Sequence, residues 1–413
     1  MPLPPPPPPP PPAPSQWQPV QQVLPPPPPP AGAPAASWTP YPPPYPPQPR
    51  PPDSKLARVL SIAVVIGLLA GAMAVVGAVT RDRGPSHPDD WDPRVADLAA
   101  FVEEHRGAPF DHPVYVDFLT AADYSAQTNV EAASLTDEDK SEFDRQEGFF
   151  RALGLVAGDI DLFAASNDVS DEGTLAFYNP SDERVRVRGT DVTVDLQVTL
   201  VHELTHAWQD QRFDLDAMQA EASDMGASNA LTTLVEGDAT RVENLYIDQL
   251  SDADRTTYES SIPADVAAAG LGDVPDVLLA LFGAPYALGP PFLDVLEGEG
   301  GIHSIDGAFA RPPKTEEQVF DPLAFLAGDE PDDVDIPDVG DDVEVTDSGG
   351  FGALGWFLVL AERTDAAAAL AAVDGWGGDS YATYDQDGRV CARLDFVGDT
   401  AEDTEQMAVE LDA

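Results

Sequence analysis

Val201-His202-Glu203-Leu204-Thr205-His206-Ala207-Trp208-Gln209-Asp210-Gln211-Arg212-Phe213-Asp214-Leu215 is the stretch that decides how the chain reads. Asp191 to Gln211 has a helical pattern, with Leu200, Val201, Leu204, Ala207 and Trp208 supplying the packed faces. On that helix His202 and His206 stand one turn apart on one face. Two neutral imidazoles so placed are good ligands for Zn2+. Glu203 stands beside His202, with a carboxylate able to reach past the metal. There it can take a proton from activated water and return it to a leaving amine, as a general base and then an acid. H-E-x-x-H arises by chance in roughly one chain in a hundred at this histidine frequency. Here two of only six histidines fall inside a helix pattern, which favours a metal site.

A catalytic zinc site needs a third protein ligand and an open fourth position. One zincin class carries a third histidine where this chain has Arg212, and a turn glycine where it has Gln209, so the third ligand lies farther on. Ser228 to Leu250 reads as a second long helix, and Glu236 is its leading candidate. Thr233, Glu236, Thr240 and Glu243 form one polar stripe, suited to the wall of a cleft. Asp238 is the second candidate. It shares a face with Leu234, Val242 and Leu245, so its carboxylate needs a partner, and the second nitrogen of a ligating histidine would be one. Hydrolysis of an amide also needs an electrophile for the developing oxyanion. Tyr286 is the candidate, with His303, beyond the Gly298–Gly301 stretch, as the alternative.

The pair His202-Glu203-x-x-His206 followed by Glu236 resembles the gluzincin arrangement of thermolysin-like peptidases. More closely, "VHELTHAWQDQRFDL", "LVEGDAT", "PYALGPPFLDVLEGEGG" and "RPPKTEEQVFDP" resemble an uncharacterised family of bacterial membrane-linked neutral zinc metallopeptidases. The resemblance covers most of residues 95–400. It implies zinc, with His202, His206 and Glu236 as ligands and Glu203 as base. One position departs from the thermolysin-like pattern. Four residues after the third ligand those enzymes carry an acid that supports a histidine, and this chain has Thr240; its hydroxyl, Asp238 or Asp210 is left to take that part.

Outward from the motif, residues 92–413 have a globular pattern. Val95 to His105 reads as an amphipathic helix and His112 to Leu119 as a strand. Thr136 suits the N-cap of a helix carrying Phe143, Phe149, Leu153 and Leu155. Thr174–Phe177 and Arg184–Arg188 read as strands joined through Tyr178-Asn179-Pro180-Ser181, a hairpin; the gluzincin resemblance implies that such an edge before the active helix binds substrate backbone by strand addition. Arg184, Arg186 and Arg188 alternate on one face, either guarding an edge or attracting an acidic peptide. Shorter helices are expected near Asp276–Phe282, Pro291–Leu296 and Leu354–Glu362, an acidic loop over 329–347, and a hairpin around Asp385–Gly388 before a last helix. The expected class is α+β, mainly helical, with a zincin-like catalytic domain whose small sheet lies over the active helix.

Ahead of that domain, residues 1–54 hold most of the 44 prolines and read as a solvated polyproline tail, a spacer or a ligand for a proline-motif-binding partner. Val59 to Thr80 is an uncharged apolar run spanning about 33 Å as a helix, which matches the bilayer core. Arg50, Lys55 and Arg58 precede it, and Arg81 and Arg83 follow, a bias that puts the N-terminus in the cytoplasm. The expectation is a single-pass protein of the cell membrane with its catalytic domain outside. Gly67 and Gly71 make a G-x-x-x-G pair within the span.

A net charge of -52 repels phosphates and argues against nucleic acid as a partner. The single cysteine, Cys391, excludes an intrachain disulfide and reads as a small core residue. Neither Asp385–Gly388 nor Asp333–Asp338 completes a twelve-residue calcium loop. The expected activity is zinc-dependent cleavage of a peptide or protein substrate. The alternatives are a catalytically silent surface scaffold, or an amidase acting on a cell-wall amide. Glu203 speaks against the scaffold, because a purely structural metal site has no use for a base.

Overall fold

The computed structural model describes residues 86–128, 135–158, 160–172, 174–222, 225–268, 274–340 and 343–412. The proline-rich tail, the apolar run Val59–Thr80 and its glycine pair lie outside the described residues.

The fold is mixed α+β and mainly helical. Helix α1 (Ala96–Arg106) leads to β1 (Tyr115–Leu119), α2 (Ala121–Thr128), α3 (Asp137–Leu153) and α4 (Leu162–Glu172). Thr136 caps α3 in a capping box with Asp139. Strands β2 (Ala176–Asn179) and β3 (Arg184–Arg188) form the expected hairpin, with β2 running on to Asn179. Helices α5 (Val194–Phe213), α6 (Leu215–Glu221), α7 (Met225–Gln249) and α8 (Asp252–Ala268) follow.

The first sheet has the order β1-β3-β2, with β1 parallel and β2 antiparallel to β3. Its inner side chains Val185 and Val187 share one core with Val102 of α1 and Leu200, Leu204 and Trp208 of α5. The small sheet therefore lies against α5, the helix that carries His202 and His206. β3 is the central strand, so its arginines have no free edge to guard. Arg184 instead pairs with Asp117 at 2.7 Å, Arg186 with Asp182, and Arg188 lies over the Tyr124 ring.

Next come α9 (Asp276–Gly300), α10 (Ile302–Ala310), α11 (Glu317–Phe320) and α12 (Pro322–Ala327). The sequence suggests two short helices where α9 is one, with Pro285, Pro290 and Pro291 inside it. Each proline withholds an N–H, leaving the carbonyls of Leu281, Tyr286 and Ala287 without that ladder bond. Packing outweighs the loss, since Phe292, Leu293 and Leu296 share a core with Leu234 of α7 and Ile305 of α10. Among the described residues, α9 is the helix long and apolar enough to cross a membrane, and half of its most apolar window is buried inside the protein. At the α7–α9 crossing Gly237 faces Gly289 so closely that a Cβ on Gly289 would stand 2.4 Å from the Gly237 Cα.

The chain closes with β4 (Val345–Gly349), α13 (Gly352–Ala361), α14 (Ala366–Val373), β5 (Trp376–Gln386), β6 (Arg389–Gly398) and α15 (Ala401–Leu411). These strands make a second, antiparallel sheet in the order β4-β5-β6, so the expected acidic loop ends in a strand at Val345. A core of Phe149, Trp356, Leu360, Val373, Tyr381 and Met407 joins this sheet to its helices and α3. Cys391, on β6, is partly exposed rather than in a core.

Candidate metal centre

Helix α5 is fixed at both ends and along one side. Thr193 accepts a hydrogen bond from the Leu196 N–H, Asp195 lies in the first turn and Arg212 in the last, all complementary to the helix dipole. Leu200, Val201 and Leu204 are fully buried, each stabilising the packing by about 1.5–3 kcal/mol. That burial sets the rotation of the helix and turns His202 and His206 toward α7.

His202, Glu203 and His206 are 1%, 4% and 9% exposed, and Glu236 of α7 is 1% exposed. Groups so deeply buried need compensating partners. His202 Nε2 lies 3.1 Å from Glu236 Oε2, His206 Nε2 lies 3.3 Å from the same oxygen, and the two Nε2 atoms are 3.0 Å apart. A tetrahedral zinc site with bonds of about 2.0–2.1 Å has ligand-to-ligand edges of about 3.3 Å. The three atoms thus form a near-equilateral face of the right size.

The outer nitrogens explain why these three atoms converge. His202 Nδ1 is 3.0 Å from Glu243 Oε2, and His206 Nδ1 is 2.9 Å from Gln209 Oε1. Gln209 donates its Nε2 to Val235 O at 3.0 Å and to Asp238 Oδ2 at 2.9 Å, so its oxygen must face His206. Both partners accept, so each supports the tautomer that donates from Nδ1. In that tautomer each Nε2 presents a lone pair to the other and to a carboxylate oxygen. Three acceptors facing one point need a shared cation or added protons. Burial disfavours charge on His202, but Glu236 and Glu243 overcome it and hold its pKa well above the ordinary histidine value. His206 is raised in the same way against burial, chiefly by Glu236. Glu236 is held well below the usual carboxylate range by the two imidazoles, against burial.

Glu203 takes a separate place. Its Oε2 accepts the backbone N–H of Tyr178 at 2.8 Å, from strand β2. Burial raises its carboxyl above the ordinary value, despite the neighbouring imidazoles. The Tyr178 hydroxyl donates to Asp210 Oδ2 at 2.7 Å. Tyr286 of α9 stacks on His202 with ring centroids 6.0 Å apart, within the field of the Glu236 carboxylate. Burial first, then the Glu236 charge, pushes its pKa well above 10, so the phenol stays a donor. The Gly237–Gly289 contact is what lets α9 come this near.

The other sequence candidates lie elsewhere. His303 is exposed. Asp238 is no ligand in this arrangement, because its fully buried carboxylate faces Arg106 at 3.2 Å and Gln209. Thr240 supports no histidine, its buried hydroxyl finding no hydrogen-bond partner among the described residues. Asp210 serves Tyr178 and the Leu215 N–H. Sequence reasoning missed the orienting roles of Glu243 and Gln209. Both had a signal: Glu243 shares the stripe of Glu236, and Gln209 stands three residues after His206. No family model, curated protein or solved structure matches the chain.

Proposed function

We propose that the chain is a zinc-dependent metallohydrolase, most specifically a peptidase of gluzincin-like type, anchored in the cell membrane by Val59–Thr80 with its catalytic domain outside. The reading rests on one observation: the Nε2 atoms of two histidines one turn apart converge with Glu236 Oε2, while Glu243 and Gln209 hold the two rings through Nδ1. Those three residues would hold the ion, and their donor set and 3.0–3.3 Å edges fit zinc. A bound zinc ion supplies Lewis acidity that brings the pKa of water toward about 7.

The protein groups carry the remaining work. Glu203, one residue from the first ligand, takes the water proton and passes it to the leaving amine. Tyr286, held protonated by its surroundings, donates a hydrogen bond to developing negative charge on the substrate oxygen. The outer edge of β2, joined to Glu203 through Tyr178, receives an extended peptide.

A second reading, a catalytically silent protein with a structural metal, draws on the near-complete burial of the ligands. The test separates the two. Elemental analysis of the purified chain should give one zinc per chain, lost in His202→Ala. Cleavage of a peptide library should vanish with chelator and in metal-loaded Glu203→Gln. A metal-free wild type sinks both readings. A zinc-loaded wild type that cleaves no peptide leaves the structural reading standing.

A further inference from the structure

A second group of carboxylates lies away from the histidines. Side-chain oxygens of Glu317, Asp329 and Asp399 all lie within 4.8 Å of one another. Glu317 begins α11, Asp329 follows α12, and Asp399 stands between β6 and α15. Three separate segments therefore meet at this corner.

Glu317 sets the group apart from a solvated acidic surface. The residue is only 6% exposed, and no hydrogen bond or ion pair reaches its carboxylate among the described residues. Its neighbour Glu316 shows the contrast, accepting from Asn229 Nδ2 at 2.6 Å and the Leu354 N–H at 2.7 Å. Burial, then Asp399, Asp329, Asp321 and Asp374, push the Glu317 carboxyl up to about 8. Asp399 is raised as well, by burial and then by Asp329, Asp403, Asp332 and Asp374. Every charged neighbour so named is an acid. Lys314 is committed to Glu330 at 2.6 Å.

The corner is also tightly built. The Asp332 N–H bonds Gly377 O at 2.7 Å and the Asp399 N–H bonds Gly375 O at 3.1 Å. A Cβ on Gly378 would stand 2.5 Å from Asp332 O, and one on Gly377 would stand 3.0 Å from Asp399 N. Close backbone packing thus holds the carboxylates together despite their mutual repulsion. A carboxylate on a buried residue, with no protein partner among the described residues and converging with two others, is compensated best by a hard divalent cation. Oxygens up to 4.8 Å apart suit an ion with bonds of about 2.3–2.6 Å.

We infer that Glu317, Asp329 and Asp399 form a calcium site that clamps the α11–α12 corner to the β6–α15 turn. The site is independent of the histidine centre and of the activity proposed for it.

The test uses the full chain in detergent, stripped of calcium and titrated with CaCl2 by calorimetry. High NaCl screens diffuse binding to the acidic surface. One saturable site is expected, with a Kd on the order of 10⁻⁴ M, together with a calcium-dependent rise in Tm. The Glu317→Gln/Asp399→Asn double variant should bind at least tenfold more weakly and show no rise. Asp329→Ala, at an exposed position, gives the same loss if the double variant does not fold. His202→Ala should respond as wild type does, which separates this site from the histidine centre. An equal calcium response in wild type and in the carboxylate variants would overturn the inference, as would no saturable binding to wild type.

Discussion

The backbone N–H of Tyr178 and the Glu203 carboxylate are joined at 2.8 Å, linking the outer edge of β2 directly to the candidate base. Arg188 N bonds Leu175 O across the hairpin, and alternation then turns the Tyr178 N–H away from β3. Glutamine at 203 keeps an oxygen for that N–H and removes the base. Glu203→Gln should therefore retain fold and zinc while peptide turnover falls by roughly 10²–10⁴-fold. Circular dichroism, metal analysis and single-turnover cleavage on the same preparation check all three.

Glu243 and Gln209 orient the two imidazoles from behind. Glu243→Ala and Gln209→Ala should each weaken zinc binding by about 10–100-fold. Competition against a chromogenic chelator measures this. Unchanged affinity in both would mean that the Nδ1 contacts do not set the tautomers.

Arg106 and Asp238 meet at 3.2 Å with both side chains fully buried. Removing Arg106 leaves the buried Asp238 carboxylate with the longer Arg241 contact at 3.6 Å as its ion pair. Arg106→Met should cost about 3–5 kcal/mol in urea unfolding. Because Asp238 also holds Gln209, zinc affinity should fall with it.

Gly289→Ala places a methyl group 2.4 Å from Gly237 Cα and 2.5 Å from Thr233 O, all backbone atoms that cannot swing aside. The helices must part, at a cost of at least about 1–3 kcal/mol. Tyr286 should move off Glu236 in step, so thermal melting and turnover both register the change.

Asp210 gives a pH dependence with a definite sign. Burial raises its carboxyl from 3.8 to about 6, against the bonds from Tyr178 and Leu215. The folded state therefore holds this proton more tightly than the unfolded one. Its contribution is fully present below about pH 4 and is lost as pH rises through about 6. Asp210→Asn should flatten the stability profile between those limits, as followed by denaturant melts at successive pH values.

The triad residues were legible because helical spacing fixes direction: four residues separate His202 from His206, and a stripe on α7 marked Glu236. Orienting contacts were harder to read, since they depend on how α5 and α7 are rotated against each other. Local propensity misled at α9, where three prolines suggested a break that packing overrides. The partner of Asp238 was hidden for a similar reason. The residue's hydrophobic neighbours announced burial, but its partner Arg106 comes from a helix far away in sequence. The class of the fold, mainly helical with small sheets, followed from periodicity alone.

The same cation has a consequence for how short the chain can be trimmed. Arg106 is the last residue of α1, near the start of the described residues, and its charge ends beside the scaffold behind His206. A fragment starting after position 106 would keep His202, Glu203, His206 and Glu236, yet lose the nearer of the two arginines that face Asp238. Autonomy of the domain thus begins at α1, well upstream of any residue that would touch a substrate.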